Sequence, residues 1–371
     1  MNEAHPLRVL IKALLLYALA NIAFAYLQPP VGKLSIYNLV VPGRARVPYE
    51  REVEYYDISH TVPVYEDMDA TYQSTILSQP KQVDEYRVFL VGDSSAWGFQ
   101  LHPGETLAGQ LNDLNLNSCD GRQIVVYNAA FPLPYVMKDL LIMDKLREYK
   151  PDMFLWPITL DAFRNRGIFT DYFLDPYAGR VRELVDEYQL TNLDVDKLQQ
   201  AGFWDRTIIG QRSRLKKIFL LQIHGFGWNA TGLDYDYQDY PPLLQDQSSD
   251  DHFFELPPGR LGLDHMLFDV LNAGYQHVEP LPLLVVNEPI FIASGVNSEV
   301  RYNEFYPRWA YDEYLAYLDQ WMQRHDYAYV NAWDLLPASE FTDTPFHRTP
   351  QGEKILAEYL APYIETLSCT K

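Results

Sequence analysis

The sequence predicts an α/β protein, a three-layer α/β/α sandwich around a five-stranded parallel sheet of the flavodoxin-like type. Short apolar segments alternate with longer segments of helical periodicity, as in parallel sheets whose strands are joined by helices. The chain has 371 residues, 47% of them hydrophobic, which is enough for one sizeable core. Right-handed crossovers leave few other arrangements for such a chain, although the order of the strands stays open.

Each predicted element has a local signature. The strands are short apolar runs, expected at 87–91, 124–128, 153–159, 281–287 and 327–331. The helices have apolar residues at helical spacing, and are expected at 103–116, 134–148, 261–273, 310–324 and 350–367. Strands and helices alternate in this order along the chain, which predicts helices on both faces of the sheet.

The amino terminus, residues 1–28, has the layout of an export signal. Its stretch 9–27 is apolar apart from two residues, and Arg8 and Lys12 lie at the leading edge. About 19 residues are just enough to span a bilayer. We expect an uncleaved single-pass anchor with the rest of the chain outside the cytoplasm. Because 23–25 reads Ala-Phe-Ala, like a cleavage site, a secreted protein is the alternative.

Two further segments lack regular periodicity. Residues 29–84 are rich in Pro, Tyr and charge, and we interpret them as a stalk and irregular lead-in to a domain at 85–371. Residues 164–258 interrupt the alternation directly after the third strand. Because long loops in compact domains are often functional, we expect a lid or specificity insertion there. A surface elaboration without substrate contact is the alternative.

Composition excludes several classes of function. A net charge of -20 and the absence of clustered Lys and Arg argue against nucleic acid as a partner. Cys119 and Cys369 lack the spacing and neighbouring His of a zinc site, so we predict no metal and no cofactor. Whether the two cysteines form a disulfide stays open, as does the oligomeric state.

The first strand leads directly into Gly92-Asp93-Ser94. A hydroxyl at this point lies at the carboxyl edge of the sheet, where α/β folds bind ligands, although Asp93 or Ser94 could simply cap the next helix. His347 is in the loop before the last helix and returns to the same edge. Asp343, four residues upstream, could orient its imidazole. A nucleophilic serine needs such a base.

These residues resemble two blocks of a known family. The segment 92–98, with its Gly-Asp-Ser, and the segment 347–352, with His and Gly at its ends, resemble the first and last blocks of the SGNH hydrolases, also called GDSL-type esterases and lipases. The resemblance extends from 87 to 364. It implies that Ser94 is the nucleophile, that its backbone amide contributes to the oxyanion hole, and that His347 is the base.

The other blocks depart from the family pattern. Ala130 stands in place of a glycine, but it keeps the backbone N–H that the resemblance assigns to the oxyanion hole. Asp161 stands in place of the oxyanion asparagine. An ionised carboxylate cannot donate a hydrogen bond, so Asp161 serves only if it is protonated, or else Asn128 or Asn165 replaces it. The acid also lies four residues before the His, not the usual three.

The chain contains 28 Tyr and 7 Trp, and aromatic rings of this kind can stack on sugars. Glu288 ends the fourth strand, where it could contact a sugar hydroxyl, balance an arginine such as Arg301 or Arg308, or cap the next segment. The candidate substrate-binding residues are Trp97, Asn128, Asn165 and Glu288.

The sequence and the resemblance together predict a membrane-anchored, extracytoplasmic serine enzyme that hydrolyses or transfers an acyl group. Its expected substrate is an ester, such as an O-acetyl group on a cell-envelope glycan. One alternative is a polysaccharide O-acetyltransferase similar to those of the alginate O-acetyltransferase type. Another is a glycan-binding protein that keeps the fold without catalysis.

Overall fold

A computed structural model describes residues 5–48, 66–165, 174–231, 242–262 and 266–369. Its centre is a five-stranded parallel sheet in the order β2-β1-β3-β4-β5. The strands are β1 Glu85–Leu90, β2 Gln123–Asn128, β3 Met153–Ile158, β4 Leu283–Asn287 and β5 Tyr329–Asn331. In the register of the sheet, Val88 of β1 lies beside Val126 and Met153. The predicted fold class is confirmed, and each strand overlaps its predicted range.

The described residues form ten α-helices, several of which cover the sheet. They are α1 Pro6–Leu27, α2 Met68–Gln73, α3 Ser94–Trp97, α4 Leu107–Asp113, α5 Val136–Leu146, α6 Ala178–Tyr188, α7 Arg212–Thr231, α8 Asp269–Val278, α9 Arg308–His325 and α10 Pro350–Leu367. α4 packs against α10, and α5 packs against α8. Two helices begin at a later residue than the sequence predicts. α4 begins at Leu107, because Thr106 caps it and Pro103–Glu105 form a separate short turn, and α8 begins after Phe268.

The segment expected as a stalk and lead-in contributes to the core. Val47, Tyr72 and Leu77 are completely or almost completely buried. The hydroxyl of Tyr72 donates to the backbone oxygen of Ala129, 3.1 Å away, in the loop after β2. A free stalk therefore does not describe 29–48 and 66–84. Periodicity is weak in this part of the sequence because α2 has only six residues and Val47 lies outside any helix or strand. The domain boundaries themselves stay a prediction.

The expected insertion at 164–258 divides into parts with different neighbours. α6 packs beside α5, where Arg180 forms an ion pair with Asp144 at 2.8 Å. α7 lies elsewhere, with Ile218 and Leu221 buried in a small cluster around Tyr37. The calls on 166–173 and 232–241 lie outside the described residues. Among the described parts, only 242–258 approaches the carboxyl edge of the sheet near the predicted acid.

The helix α1 is long and apolar enough to cross a membrane. It has 22 residues, and the mean hydropathy of its most apolar window is 1.9. Asn21 and Ala25 are its buried residues, so nearly all of its surface is exposed. A signal sequence has the same features, and length and composition alone do not separate the two.

Cys119 and Cys369 form a disulfide, with their Cα atoms 5.1 Å apart. The bridge joins the loop before β2 to the end of α10. It spans 250 residues of sequence, so it connects an early loop of the α/β domain with the segment after its last helix. Disulfides persist mainly in oxidising compartments, which agrees with the expected export.

The burial of the lead-in predicts the outcome of two truncations. A chain that begins at residue 29 should fold, whereas one that begins at 85 should aggregate or melt at a much lower temperature. The shorter chain loses the rings and aliphatic side chains of Val47, Tyr72 and Leu77, each contributing roughly 1.5–3 kcal/mol or more of burial. Thermal unfolding of both chains checks this. Equal melting temperatures would show that the domain begins at 85.

Candidate active site

The loop after β1 presents Ser94 at the edge of the sheet. Asp93 caps α3, because its Oδ1 accepts a hydrogen bond from the backbone N of Ser95 at 2.9 Å. Gly98 ends the short helix at φ 82°, and a Cβ there would lie 2.4 Å from Thr106 Cγ2. Asp93 is therefore the residue that caps α3. The hydroxyl of Ser94 is partly exposed and is available to contact another side chain.

Ser94, His347 and Asp343 form a hydrogen-bonded chain. His347 Nε2 lies 2.9 Å from Ser94 Oγ, and His347 Nδ1 lies 2.8 Å from Asp343 Oδ1. Burial alone would raise the pKa of Asp343, but the hydrogen bond and charge of His347 lower it overall. An ionised carboxylate only accepts, so Nδ1 carries the proton and Nε2 is free to accept from Ser94. This is the geometry of a nucleophile and its base.

The loop that carries His347 is fixed by its own hydrogen bonds. Thr342 N donates to His347 O at 2.9 Å, and His347 N donates to Thr344 Oγ1 at 3.2 Å. The imidazole packs on the ring of Phe99, with 4.9 Å between ring centres. These contacts fold the loop so that an acid four residues before the histidine still reaches Nδ1.

A buried polar network lies beneath the triad. Ser95 Oγ lies 2.8 Å from Asp93 Oδ1 and also contacts Glu288 Oε2. Arg348 Nη1 donates to Glu288 Oε2 at 3.0 Å, and Arg348 Nε lies 3.2 Å from Glu353 Oε2. All five side chains are buried. Because Ser95 follows Ser94 and Arg348 follows His347, the network joins the two segments that bring nucleophile and base together.

The count of donor protons within this network agrees with a protonated, neutral Glu288. Burial raises the pKa of Glu288 to about 8, and nearby Asp93 adds to the increase, although Arg348 opposes it. Ser95 has one hydroxyl proton but two carboxyl neighbours. A protonated Glu288 resolves this, because it donates to Ser95 Oγ while Ser95 donates to Asp93. At neutral pH the chain of donors therefore runs from Glu288 to the cap of α3.

Lys138 joins the loops that follow β1 and β2. Its side chain is completely buried, and Nζ donates to Gly92 O at 2.6 Å and to Phe131 O at 2.7 Å. Asp139 Oδ1 lies 2.8 Å from the same ammonium. Burial raises the pKa of Asp139 to about 6 against the opposing charge of Lys138. The ammonium thus fixes the loop of Ser94 relative to the loop of Ala130.

Asn128 and Ala130 hydrogen-bond to each other. The amide nitrogen of Asn128 donates to the backbone oxygens of Ala96 and Trp97, at 3.0 and 3.2 Å. Its Oδ1 accepts from Ala130 N at 3.2 Å. Asn128 is buried and ties β2 to α3, and the N–H predicted for the oxyanion hole already has an acceptor. Leu133 in the same loop has φ 142°, a strained conformation of a kind that clusters at functional sites.

Asp161 and Asn165 have partners other than a substrate. Asp161 is buried, and its Oδ1 lies 3.1 Å from Arg164 Nη1. A carboxylate held by a guanidinium remains an acceptor, so nothing in this geometry makes Asp161 an oxyanion donor. Asn165 is exposed, and its amide nitrogen donates to Asn192 O within the insertion. Neither residue has a described contact with Ser94.

Trp97 lies in the core. Its side chain has no exposed surface, its Nε1 donates to Val47 O at 2.9 Å, and the guanidinium of Arg46 lies 3.8 Å above its ring. Because no face of this ring is exposed, Trp97 cannot stack on a sugar. Glu288 is equally buried, and its partner is Arg348 instead of the expected Arg301 or Arg308.

Sequence reasoning missed Lys138, Ser95 and Arg348. For Lys138 a signal was present, since a Lys-Asp pair interrupts an otherwise apolar helix directly after the second strand. Such a pair is seldom buried without partners. Arg348 follows the predicted base, but a single arginine beside a histidine has no distinctive pattern.

A cleft of about 520 Å³ opens beside the acid of the triad. It is lined by carboxylates, including Asp343, and by aromatic rings. The lining includes Asp246, Asp250, His252, Phe254, Phe291, Arg301, Glu304, Phe305, Asp343 and Pro345. Burial raises the pKa of Glu304, and the charge of Asp343 adds to the effect. The end of the insertion, 242–254, thus supplies one wall of a cleft that reaches the triad.

Asp250, Asp251 and His252 are, among the described residues, a group whose ligand atoms all lie within 4.8 Å of one another. Asp250 and His252 are exposed, and His252 Nδ1 is 2.7 Å from Asp250 Oδ1. Exposed acidic clusters are common without a metal, and no second observation points to one here.

Comparisons with known proteins assign this chain to no family. A scan against models of protein families finds no match, and a search of curated proteins finds none either. Among solved structures, a carbohydrate acetylesterase family member from Sinorhizobium meliloti is similar, with a TM-score of 0.33 and 9% identity. The match covers 76% of this chain and 98% of that chain. A likeness at this level says nothing about activity.

The raised pKa of Glu288 predicts a pH-dependent stability. Between about pH 5 and 8 the folded protein holds a proton that the unfolded chain releases. The free energy of unfolding should therefore fall as pH rises through this range, by up to about 1.4 kcal/mol per pH unit. Glu288→Gln, which keeps a donor toward Ser95, should lose this component.

Denaturant unfolding in detergent at pH 5 and pH 8 measures the effect. Glu358→Gln, at an exposed carboxyl, is the matched control and should behave as the natural chain does. The same pH dependence in Glu288→Gln would mean that Glu288 is ionised throughout.

Proposed function

We propose that the protein is a serine ester hydrolase or acyltransferase. The observation that carries the proposal is the chain Ser94–His347–Asp343, with separations of 2.9 and 2.8 Å. The three residues come from opposite ends of the domain, and two buried cationic side chains support them. A purely structural serine would need neither a base nor an acid in this order.

The proposed reaction has two steps. Ser94 Oγ attacks the ester carbonyl carbon while its proton moves to His347 Nε2, and the tetrahedral intermediate then collapses as His347 returns the proton to the departing alcohol oxygen. This leaves an acyl group on Ser94. Water or an acceptor hydroxyl then gives its proton to His347 Nε2 as its oxygen attacks the acyl carbon, and His347 returns this proton to Ser94 Oγ as the bond between Oγ and the acyl carbon breaks. Asp343 stabilises the imidazolium in both steps.

Two backbone amides are the proposed oxyanion donors. Ser94 N has no hydrogen-bond acceptor within the described residues. Ala130 N has one, the neutral side-chain oxygen of Asn128 at 3.2 Å. A developing oxyanion is a stronger acceptor than a neutral amide, so we propose that Ala130 N changes partner as the charge forms. Asp161 is not part of this proposal.

The cleft favours a hydroxyl-rich substrate without negative charge. Carboxylates accept hydrogen bonds from sugar hydroxyls, and the rings of Phe254, Phe291 and Phe305 offer apolar faces. Four carboxylates line the described wall against one arginine, whose N–H groups bind backbone oxygens. We therefore propose acyl esters on a neutral glycan. A polyuronate of the alginate type would be repelled by this wall.

The proposed location is the outer side of a membrane, with α1 as an uncleaved anchor. Asn21 and Ala25 are buried against the rest of the chain, which supports retention of the segment that a cleavage at 23–25 would remove. The disulfide between Cys119 and Cys369 supports an oxidising compartment.

Ser94→Ala tests the nucleophile. The natural chain should be labelled covalently by a fluorophosphonate and should release acetate from an aryl acetate, whereas Ser94→Ala should do neither. Ser339→Ala, which removes an exposed hydroxyl that lies 3.2 Å from Glu340 Oε1, is the matched control. An unlabelled natural chain that binds acetylated oligosaccharides would instead support a glycan-binding protein without catalysis.

Substrate charge is a second test. With acetylated neutral oligosaccharides, kcat/KM should exceed that for acetylated uronate oligosaccharides by roughly tenfold or more at low salt, because the acidic wall repels the latter. Asp246→Asn with Glu304→Gln should reduce this ratio. A preference for the uronate would contradict the proposed substrate class. Adding an unacetylated acceptor glycan in the same assay separates transfer to sugar from hydrolysis.

A further inference from the structure

Exposed apolar side chains are concentrated beside α1. Trp204 is 77% exposed, Phe219 is 64% exposed, and Ile209 and Ile223 are also exposed. They lie on the segment 203–209 and on α7. Isolated exposed apolar residues are ordinary, but several large ones on adjoining elements indicate a surface with a partner.

The segment 203–209 contacts α1 along its last turns. Ile209 N donates to Asn21 Oδ1 at 3.1 Å, and Gln28 Nε2 donates to Arg206 O at 3.1 Å. Asn21 is six residues before the end of the helix, which corresponds to about 9 Å along its axis. If α1 crosses a bilayer with this end at the outer surface, the segment 203–209 extends below that surface.

We propose that the segment 203–209, the outer face of α7 and the loop 34–40 together form a lipid-binding surface, here called the docking surface, that seats the domain on the outer leaflet of the membrane. The partner is the lipid bilayer itself. This proposal goes beyond the proposed enzyme activity and does not depend on it, but it does require that α1 is retained.

The outer face of α7 has the pattern of an interfacial helix. Its exposed residues Arg212, Lys216, Phe219 and Ile223 are spaced four, three and four apart, and so share one face. The first two are basic and the last two apolar. Leu221, on the opposite face, is completely buried. A helix with one face bound to its domain and the other both basic and apolar suits the boundary of headgroups and acyl chains.

The loop 34–40 extends the same surface. Leu34, Leu39 and Val40 are exposed, with Leu39 at 83%. The loop is fixed to the second half of α7, because Gln222 Oε1 accepts from the backbone N of Ile36 at 2.7 Å. Its apolar side chains are therefore held near the part of α7 that carries Phe219 and Ile223.

Two observations favour lipid over a protein partner. The surface is continuous with α1, and a groove of about 530 Å³ between α1 and the segment 203–209 is lined mainly by apolar side chains that reach back to Leu14. Leu14 lies 13 residues before the end of α1, or about 20 Å along the axis, a depth at which an acyl chain is the available occupant. In addition, Arg206, Arg212 and Lys216 are exposed in a chain of net charge -20. Such a local excess of positive charge attracts anionic headgroups.

Depth measurements on the full chain in vesicles test the docking surface. Single cysteines would replace Trp204, Phe219 or Ile223, because the natural cysteines are paired. Each would carry a polarity-sensitive fluorophore, in vesicles of phosphatidylcholine with or without phosphatidylglycerol. We expect quenching by spin-labelled lipid roughly threefold stronger than at control sites, with reduced quenching by aqueous iodide.

The matched controls are Val83→Cys and Val296→Cys, which are 97% and 64% exposed but lie on other parts of the domain. Quenching at Trp204, Phe219 and Ile223 equal to that at the controls would overturn the proposal. Shielding from both iodide and spin-labelled lipid would also overturn it, and would identify a protein partner. Loss of esterase activity would leave these readouts unchanged, so the two proposals fail independently.

Discussion

The buried pair of Arg348 and Glu288 is the interaction on which the site depends. Arg348 follows the predicted base and Glu288 directly follows β4, so their contact at 3.0 Å fixes the last loop of the domain against the carboxyl edge of the sheet. Ser95 extends the contact to the residue beside the nucleophile. A guanidinium removed from water needs nearby acceptors, and Arg348 has the carboxyl groups of Glu288 and Glu353 beside it. Protonation of Glu288 leaves this carboxyl able to donate to Ser95 as well. The carboxyl group of Glu288 therefore affects both the stability of the fold and the alignment of the triad.

Lys138 has a comparable role on the other side of Ser94. A completely buried ammonium needs oxygen partners, and the backbone oxygens of Gly92 and Phe131 together with Asp139 provide three. The cost of burial is offset only when both loops are in place, which couples the position of Ser94 to that of the amide of Ala130. Rigid support of this kind is what a preorganised oxyanion site requires.

The sequence could predict the sheet, since short apolar strands alternating with periodic helices leave few topologies, and it placed Ser94, His347 and Asp343 on loops that the structure brings together. It could not predict what surrounds them. Trp97 and Asn128 were candidates for substrate contact, yet burial of Trp97 beneath Arg46 depends on residues about 50 positions away. Burial of the lead-in was not predictable either, because contacts such as that of Tyr72 with Ala129 join residues far apart in the sequence. Long-range polar contacts have no local signature.

The insertion after β3 contributes both to the cleft near the predicted acid and to the contact with α1. Its last described part lines the cleft beside Asp343, while its segment 203–209 lies against α1. Both described parts pack on the same domain, so under the two proposals the packing of the domain would limit the distance from the membrane to the cleft. An enzyme held in this way would reach acyl groups on glycans close to the membrane and miss those far from it. The docking surface would thereby contribute to specificity without touching the substrate.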